Sequence, residues 1–285
     1  MKAALVSLLL IAHLFSPAWA ASSLEDVAPN IRAPCVAGPR APFPGLGLDR
    51  VVELLGQRFA GRAPAHWGEL LPGVVSRLGP PDPENPQTLR LALTLDACGG
   101  PDKENFDAGI IALLREYRIP ATIFVTSIWL HSQNPDMVRE LAADPLFTLA
   151  AHGARHRPAS VNGASAYGIK GTSSARELVR EVEENARDIT RVSGQRPRWY
   201  RSGTAYYDDV AIDLITELNL CVAGYAVAGD EGATLSGNQV AEKLLRAQDG
   251  DILLLHLNKP KSGTRAGLQK ALPELLKRGA LFISM

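Results

Sequence analysis

From residue 89 onward the chain alternates short apolar runs with longer stretches of helical period, and few folds satisfy that alternation. Short runs bounded by helical segments form βα units, and βα units assemble a parallel sheet with helices packed on it. The runs that read as strands cover residues 89–95, 121–125, 147–151, 198–200, 220–223, 251–255 and 281–284. The clearest helix spans 174–193. Ser174 and Glu177 read as a capping box, Leu178, Val182, Ile189 and Val192 share one face, and Gly194 ends it. Its many charges read as a solvated outer face. The pattern predicts an α/β fold, a distorted (β/α) barrel of about seven strands.

Residues 21–88 follow different rules. Helix-like apolar spacing over 48–59 and 66–78 precedes Pro80, Pro81, Pro83 and Pro86, a cluster that breaks both helix and sheet. This stretch reads as an N-terminal extension on a main domain of residues 89–285. Residues 1–20 read as a signal peptide, with Lys2 ahead of an apolar run over 3–15 and a small-x-small cleavage site at Ala18, Trp19 and Ala20. The run is shorter than the ~18–20 residues that span a bilayer, and Pro17 closes it, so no stable membrane span is expected. The predicted destination is the periplasm or the exterior.

Charge narrows the function. The 30 basic and 30 acidic residues cancel, and without clustered Lys and Arg nothing resembles the footprint that displaces counterions from nucleic acid. Oligomeric state is not legible. Three cysteines remain after export, Cys35, Cys98 and Cys221, and in an oxidising compartment an odd count leaves one unpaired. Cys221, within an apolar run, reads as a packed free thiol. Cys98 stands beside a candidate site.

That site emerges from the strand ends. The first strand delivers Asp96 into Ala97-Cys98-Gly99-Gly100, the third leads to His152 and His156, the fourth to Arg201, and the sixth to His256. Two imidazoles four residues apart can face one divalent ion. Arg201 can orient a carboxylate and keep it ionised. His256 can exchange a proton near neutral pH. Each residue alone has a structural explanation; their common position at strand ends favours chemistry.

In this order the motifs resemble those of the polysaccharide deacetylases, carbohydrate esterase family 4, over about residues 89–285. Thr94-Leu95-Asp96-Ala97 matches the first motif, His152 to His156 with Pro158 the second, Tyr200-Arg201-Ser202-Gly203-Thr204 loosely the third, and Leu254-Leu255-His256 the fifth; Asp230 is the plausible fourth. The resemblance implies removal of N-acetyl groups from amino-sugar polymers such as chitin or peptidoglycan. It implies a divalent metal on His152 and His156, zinc first, with cobalt or another divalent ion as alternatives. Asp96 would be the base held by Arg201, His256 the acid, Thr204 an oxyanion contact through its N–H, and Leu254 the lining of the acetyl pocket. Tyr206, with Tyr207 and Trp199, could stack on sugar. The departure is Ala97, where the family places the metal's carboxylate. Asp96 itself, Asp102 or Asp107 from the next loop, or the Cys98 thiolate could replace it, the carboxylates being favoured. Two other functions stay open, a catalytically weak carbohydrate-binding relative and a metal amidohydrolase acting on a small acylated molecule.

Overall fold

The computed structural model describes residues 41–81, 83–99 and 105–285. The signal peptide, Cys35 and Asp102 lie outside the described residues. In chain order the elements are α1 (Leu48–Arg58), β1 (Trp67–Gly68), β2 (Val74–Val75), β3 (Leu89–Ala97), α2 (Ala108–Glu116), β4 (Ala121–Val125), α3 (Ser127–Ser132), α4 (Pro135–Ala143) and β5 (Phe147–Ala151). They continue with β6 (Ser165–Ala166), β7 (Ile169–Lys170), α5 (Ala175–Ser193), β8 (Trp199–Tyr200), β9 (Tyr207–Asp208), α6 (Asp209–Glu217) and β10 (Cys221–Ala223). The last are β11 (Val227–Ala228), α7 (Gly237–Leu245), β12 (Asp251–His256), α8 (Thr264–Lys277) and β13 (Ala280–Phe282). No described helix is long and apolar enough to cross a membrane.

Eight strands form one parallel path, β11-β12-β3-β4-β5-β8-β10-β2, which curls as a half-barrel, and β13 pairs with the first residues of β3. All seven expected strands are present. β2 and β11 add to them, each too short at two residues to leave a periodic signal. β3 is central, between β12 and β4, and eight of its nine residues are buried, so that both the face of its leucines and the alternate face of Arg90, Ala92, Thr94 and Asp96 are covered. One hydrophobic cluster lies between sheet and helices. A second, of Val75, Ala92, Phe124, Ala150, Trp199, Cys221, Ala223 and Ile252, fills the concave side. Trp199 is therefore core, not a sugar platform, and Tyr207 is likewise buried, its hydroxyl donating to the Ala223 carbonyl at 2.8 Å.

Four further expectations change. Residues 66–78 form β1 and β2 rather than a helix, because Pro72 removes a helix donor and Gly73 turns the chain at a φ of +93°. β1 pairs antiparallel with β9, and β2 pairs with β10 in the main sheet. Cys221 is disulfide-bonded, while Cys98 carries a free thiol. The charged face of α5 is only partly solvated: Arg176 and Arg191 are exposed, but Glu181, Glu183, Asn185 and Asp188 are buried, Glu183 against Arg196 at 2.7 Å. At its start Ser174 accepts from the Glu177 N–H, but the Glu177 carboxylate accepts from the Ser173 N–H instead of closing a capping box.

α1 covers part of α5. Val51, Val52 and Leu55 are buried in the main cluster, each contributing about 1.5–3 kcal/mol of apolar burial, while Arg176 and Arg180 of α5 reach Glu53 and Asp49. Exposed ion pairs of this kind add little, so the apolar contacts dominate. Leu55→Ala is expected to lower unfolding free energy by about 2–5 kcal/mol in denaturant titration. A loss under 1 kcal/mol would show that α1 is dispensable to the fold.

Candidate active site

The parallel register brings the strand ends level. Asp96 lies opposite His256, and Ala97, Val125, Ala151 and Tyr200 form one row across β3, β4, β5 and β8. The next residue of each strand leaves the sheet on the same rim, at the carboxyl ends where α/β folds bind ligands. Asp96, His152, Arg201 and His256 are thereby brought together as expected.

Arg201 organises the centre. It is fully buried, donating from Nη1 to Asp96 Oδ1 at 2.7 Å and to Thr94 Oγ1 at 3.0 Å, and from Nη2 to the Gly224 carbonyl at 2.8 Å. Its guanidinium lies 4.1 Å from the centre of the Phe124 ring. Burial pushes the Asp96 carboxyl up, but the charges of Arg201, His152 and His256 outweigh it and hold Asp96 below the ordinary value.

His152 is oriented from both ends. Its Nδ1 donates to the Arg201 carbonyl at 2.9 Å, which turns Nε2 toward Asp96 Oδ2 at 3.5 Å and Cys98 Sγ at 3.6 Å. Burial lowers its pKa, yet Asp96, Cys98 and the Arg201 carbonyl raise it overall. The loop that carries both histidines is not a helical turn; it is wrapped on α5. Asn185 Oδ1 accepts from the N–H groups of His152 at 2.9 Å and Gly153 at 3.0 Å, and Glu181 Oε1 accepts from Arg155 N–H at 2.8 Å. His156 adopts a left-handed φ of 59°, and its ring meets that of His152 edge-on with centroids 4.9 Å apart. Gly203 packs so closely that a Cβ there would collide with the His156 backbone.

Opposite stands a second oriented imidazole. His256 Nδ1 donates to Asp230 Oδ1 at 2.8 Å, while Asp230 Oδ2 accepts from His256 N–H at 2.8 Å and Thr264 Oγ1 at 2.7 Å. Burial lowers the His256 pKa, but Asp230 and Cys98 raise it well above the ordinary value. Asp230, suggested only weakly by its motif, thus has a defined place as the partner of His256.

Donor atoms of Cys98, His152 and His156 lie within 4.8 Å of one another, a group that could hold a metal ion. Burial pushes the Cys98 thiol up, but the charge of His156 and hydrogen bonds with His152, His156 and His256 hold it well below the ordinary value. Neutral histidines with an anionic sulfur are a donor set that suits a divalent metal. Asp107 serves elsewhere, accepting from the Gly109 N–H at 3.0 Å as the cap of α2 and from Arg265 at 3.2 Å.

These groups open into a cleft of about 460 Å³ lined by Asp96, His156, Thr204, Leu254, His256, Tyr167 and Tyr225 among others, within the range of small-ligand sites. The Thr204 hydroxyl is buried with no hydrogen-bond partner. Tyr206 packs against Trp67 and edge-on against Tyr167, each at 5.6 Å, so the ring it supports, not its own, lines the cleft. Glu69 accepts from Tyr167 at 3.1 Å and Tyr225 at 2.8 Å. The sequence reading missed Asn185, Glu181, Glu69, Tyr167 and Tyr225. The i, i+4 spacing of Glu181 and Asn185 on α5 was the available signal.

Residues 84–223 match the family model for polysaccharide deacetylase. A carbohydrate esterase family 4 pseudoenzyme from Bacillus anthracis shares the fold at a TM-score of 0.60 and 18% identity, covering 75% of this chain and 68% of its own. The Bc1960 peptidoglycan N-acetylglucosamine deacetylase gives 0.57 at 22%, over 70% and 87%. An acetyl xylan esterase from Clostridium thermocellum, solved with a cobalt ion, gives 0.56 at 21%, over 68% and 87%. No curated protein matches the chain. Fold and rim together define a half-barrel of the carbohydrate esterase type. The segment 84–223 matches the polysaccharide deacetylase family, and the fold of the chain is that of the carbohydrate esterase family 4 structures it resembles.

Asn185→Ala removes the partner of the Gly153 N–H and one of two partners of the His152 N–H. The expected loss is about 1–3 kcal/mol of stability by thermal or chemical unfolding. A stability change near zero would mean that the loop does not depend on this contact.

Proposed function

We propose that the protein is a metal-dependent deacetylase that removes N-acetyl groups from an amino-sugar polymer, chitin-like or peptidoglycan. The observation that carries this reading is the pair Asp96 and His256, level on adjacent strands at the rim of the cleft, each fixed by a buried partner of opposite charge. Amide hydrolysis needs two such groups. One takes a proton from the attacking water, and the other returns a proton to the departing amine, which is a poor leaving group unless protonated.

Asp96 supplies the first. Arg201 keeps it ionised and aims its second oxygen toward His152, where water can be positioned. His256 supplies the second from Nε2, since Asp230 holds Nδ1. A divalent cation bound by His152 and His156 would supply Lewis acidity to the carbonyl and acidify water. Leu254 lines the cleft and gives the acetyl methyl an apolar seat, while Thr204 stands on the wall where its N–H can meet developing oxyanion charge. Tyr167, exposed and supported by Tyr206 and Glu69, offers an aromatic face to a sugar ring. The named Bc1960 relative, a peptidoglycan N-acetylglucosamine deacetylase, supports the substrate class. The disulfide at Cys221 supports export to an oxidising compartment, periplasmic or external.

Ala97 favours a second reading, a carbohydrate-binding relative without turnover, since the similar structures include a pseudoenzyme. Acetate release from acetylated chitooligosaccharides, peptidoglycan and small N-acetyl compounds, with zinc or cobalt added, separates the readings. Release from polymer or oligomer is expected. Sugar binding without release selects the second reading, and release from the small compounds alone selects an amidohydrolase. Asp96→Asn is expected to lower kcat by about 10²–10⁴-fold with the fold intact; activity within a few-fold of the parent would remove Asp96 from the mechanism. Tyr167→Ala is expected to raise KM for oligomers about 2- to 10-fold, equivalent to about 0.5–1.5 kcal/mol of lost stacking, while leaving a monomeric substrate unaffected. Equal effects on both would place Tyr167 outside the sugar contact.

A further inference from the structure

Cys98 belongs to none of the roles just described, yet its sulfur stands 3.6 Å from His152 Nε2 at the rim. Cys221 is oxidised to a disulfide, whereas Cys98 is the free cysteine among the described residues. It stands two residues past Asp96, so the alternation of the strand returns it to the side of the sheet that Asp96 faces, whereas Ala97 belongs to the hydrophobic cluster beneath the helices. Partly exposed, its thiol lines a second opening of about 600 Å³ that shares His156 and His256 with the main cleft.

We infer that the Cys98 thiolate is the anionic ligand of the metal centre, completing a Cys98–His152–His156 set in place of the carboxylate that Ala97 lacks. This rests on the proposal that the site holds a divalent metal. Geometry carries it. The three donor atoms lie within 4.8 Å of one another, and Cys98 Sγ stands 3.6 Å from His152 Nε2. In a tetrahedral site with Zn–N of about 2.0–2.1 Å and Zn–S of about 2.3 Å, sulfur and nitrogen ligands stand roughly 3.6 Å apart. The set is also supported from outside, because the Arg201 carbonyl fixes the His152 ring through Nδ1. Of the described carboxylates nearby, Asp107 caps α2 and Asp230 holds His256, while Asp96 holds Arg201 through Oδ1 and keeps Oδ2, 3.5 Å from His152 Nε2, for the attacking water of the proposed reaction.

The chemistry of sulfur then sets the metal. Thiolate with two imidazoles favours zinc, and cobalt as its substitute, over magnesium, calcium or manganese, which prefer oxygen. A carboxylate in the same place would discriminate less.

The test is the full-length protein loaded with cobalt(II) and read by absorption, with zinc affinity measured by chelator competition. Wild type is expected to show a thiolate-to-cobalt charge-transfer band in the near ultraviolet. Cys98→Ala is expected to lose the band and weaken zinc binding by at least about 100-fold, the upper end of the loss seen when a supporting partner of a ligand is removed. Cys98→Asp is expected to retain metal without the band and to bind manganese better relative to zinc. Cobalt held by wild type but lost from His152→Ala, with no charge-transfer band, would overturn the role of Cys98 and leave the metal site standing. Zinc bound by Cys98→Ala as tightly as by wild type would do the same. A folded wild type that takes up neither metal would overturn the metal reading itself, and the role of Cys98 with it.

Discussion

The rim depends on one buried guanidinium. Arg201 ties β3 to the loops after β8 and β10 by donating to Asp96, Thr94 and the Gly224 carbonyl, and its own carbonyl accepts from His152. Asp96 and His152 are therefore both held by one residue. A charge taken wholly out of water is tolerated only when it is paired and hydrogen-bonded, and breaking such a pair leaves an uncompensated charge that costs about 3–5 kcal/mol. The strand ends cannot drift without exposing that cost, which keeps the chemistry positioned before any ligand arrives.

A second tie works from outside the barrel. α5 places Asn185 and Glu181 one turn apart, and together they accept from the N–H groups of His152, Gly153 and Arg155. The chain between the histidines is thus held by side chains of a helix rather than by helical hydrogen bonds of its own. This is how His156 can persist at a positive φ, a conformation that a residue with a Cβ seldom adopts unless its surroundings impose it. Gly203, pressed against the His156 backbone, closes the same loop from the opposite side.

The legible parts of the chain were those with local causes. Short apolar-rich runs between helical segments identified the seven main strands, and the strand ends located Asp96, His152, Arg201 and His256 because parallel register levels them. What escaped notice had nonlocal causes. β2 and β11 exist through pairing, not propensity, and the 66–78 spacing looked helical until Pro72 and Gly73 are weighed. The acids of α5 resembled a solvated face because composition cannot distinguish a carboxylate in water from one that accepts buried N–H groups. Tyr167 and Glu69 are 98 residues apart, and only the fold joins them.

The missing carboxylate at Ala97 also looks different once the strand is built. Read as a string, Asp-Ala-Cys is a damaged Asp-Asp motif. On β3 the step from Asp96 to Cys98 passes over a residue packed into the core and returns to the same side, so the acidic residue and the sulfur both face the histidines. Imidazoles on either side favour an anion at Cys98 whatever its element, and the low local dielectric strengthens that preference. Asp96, secured by Arg201, and the Cys98 sulfur, directed at His152, thus face the same imidazoles. With Cys98 as the ligand inferred above, the negative charge of the site sits one residue past Ala97 and on sulfur rather than oxygen.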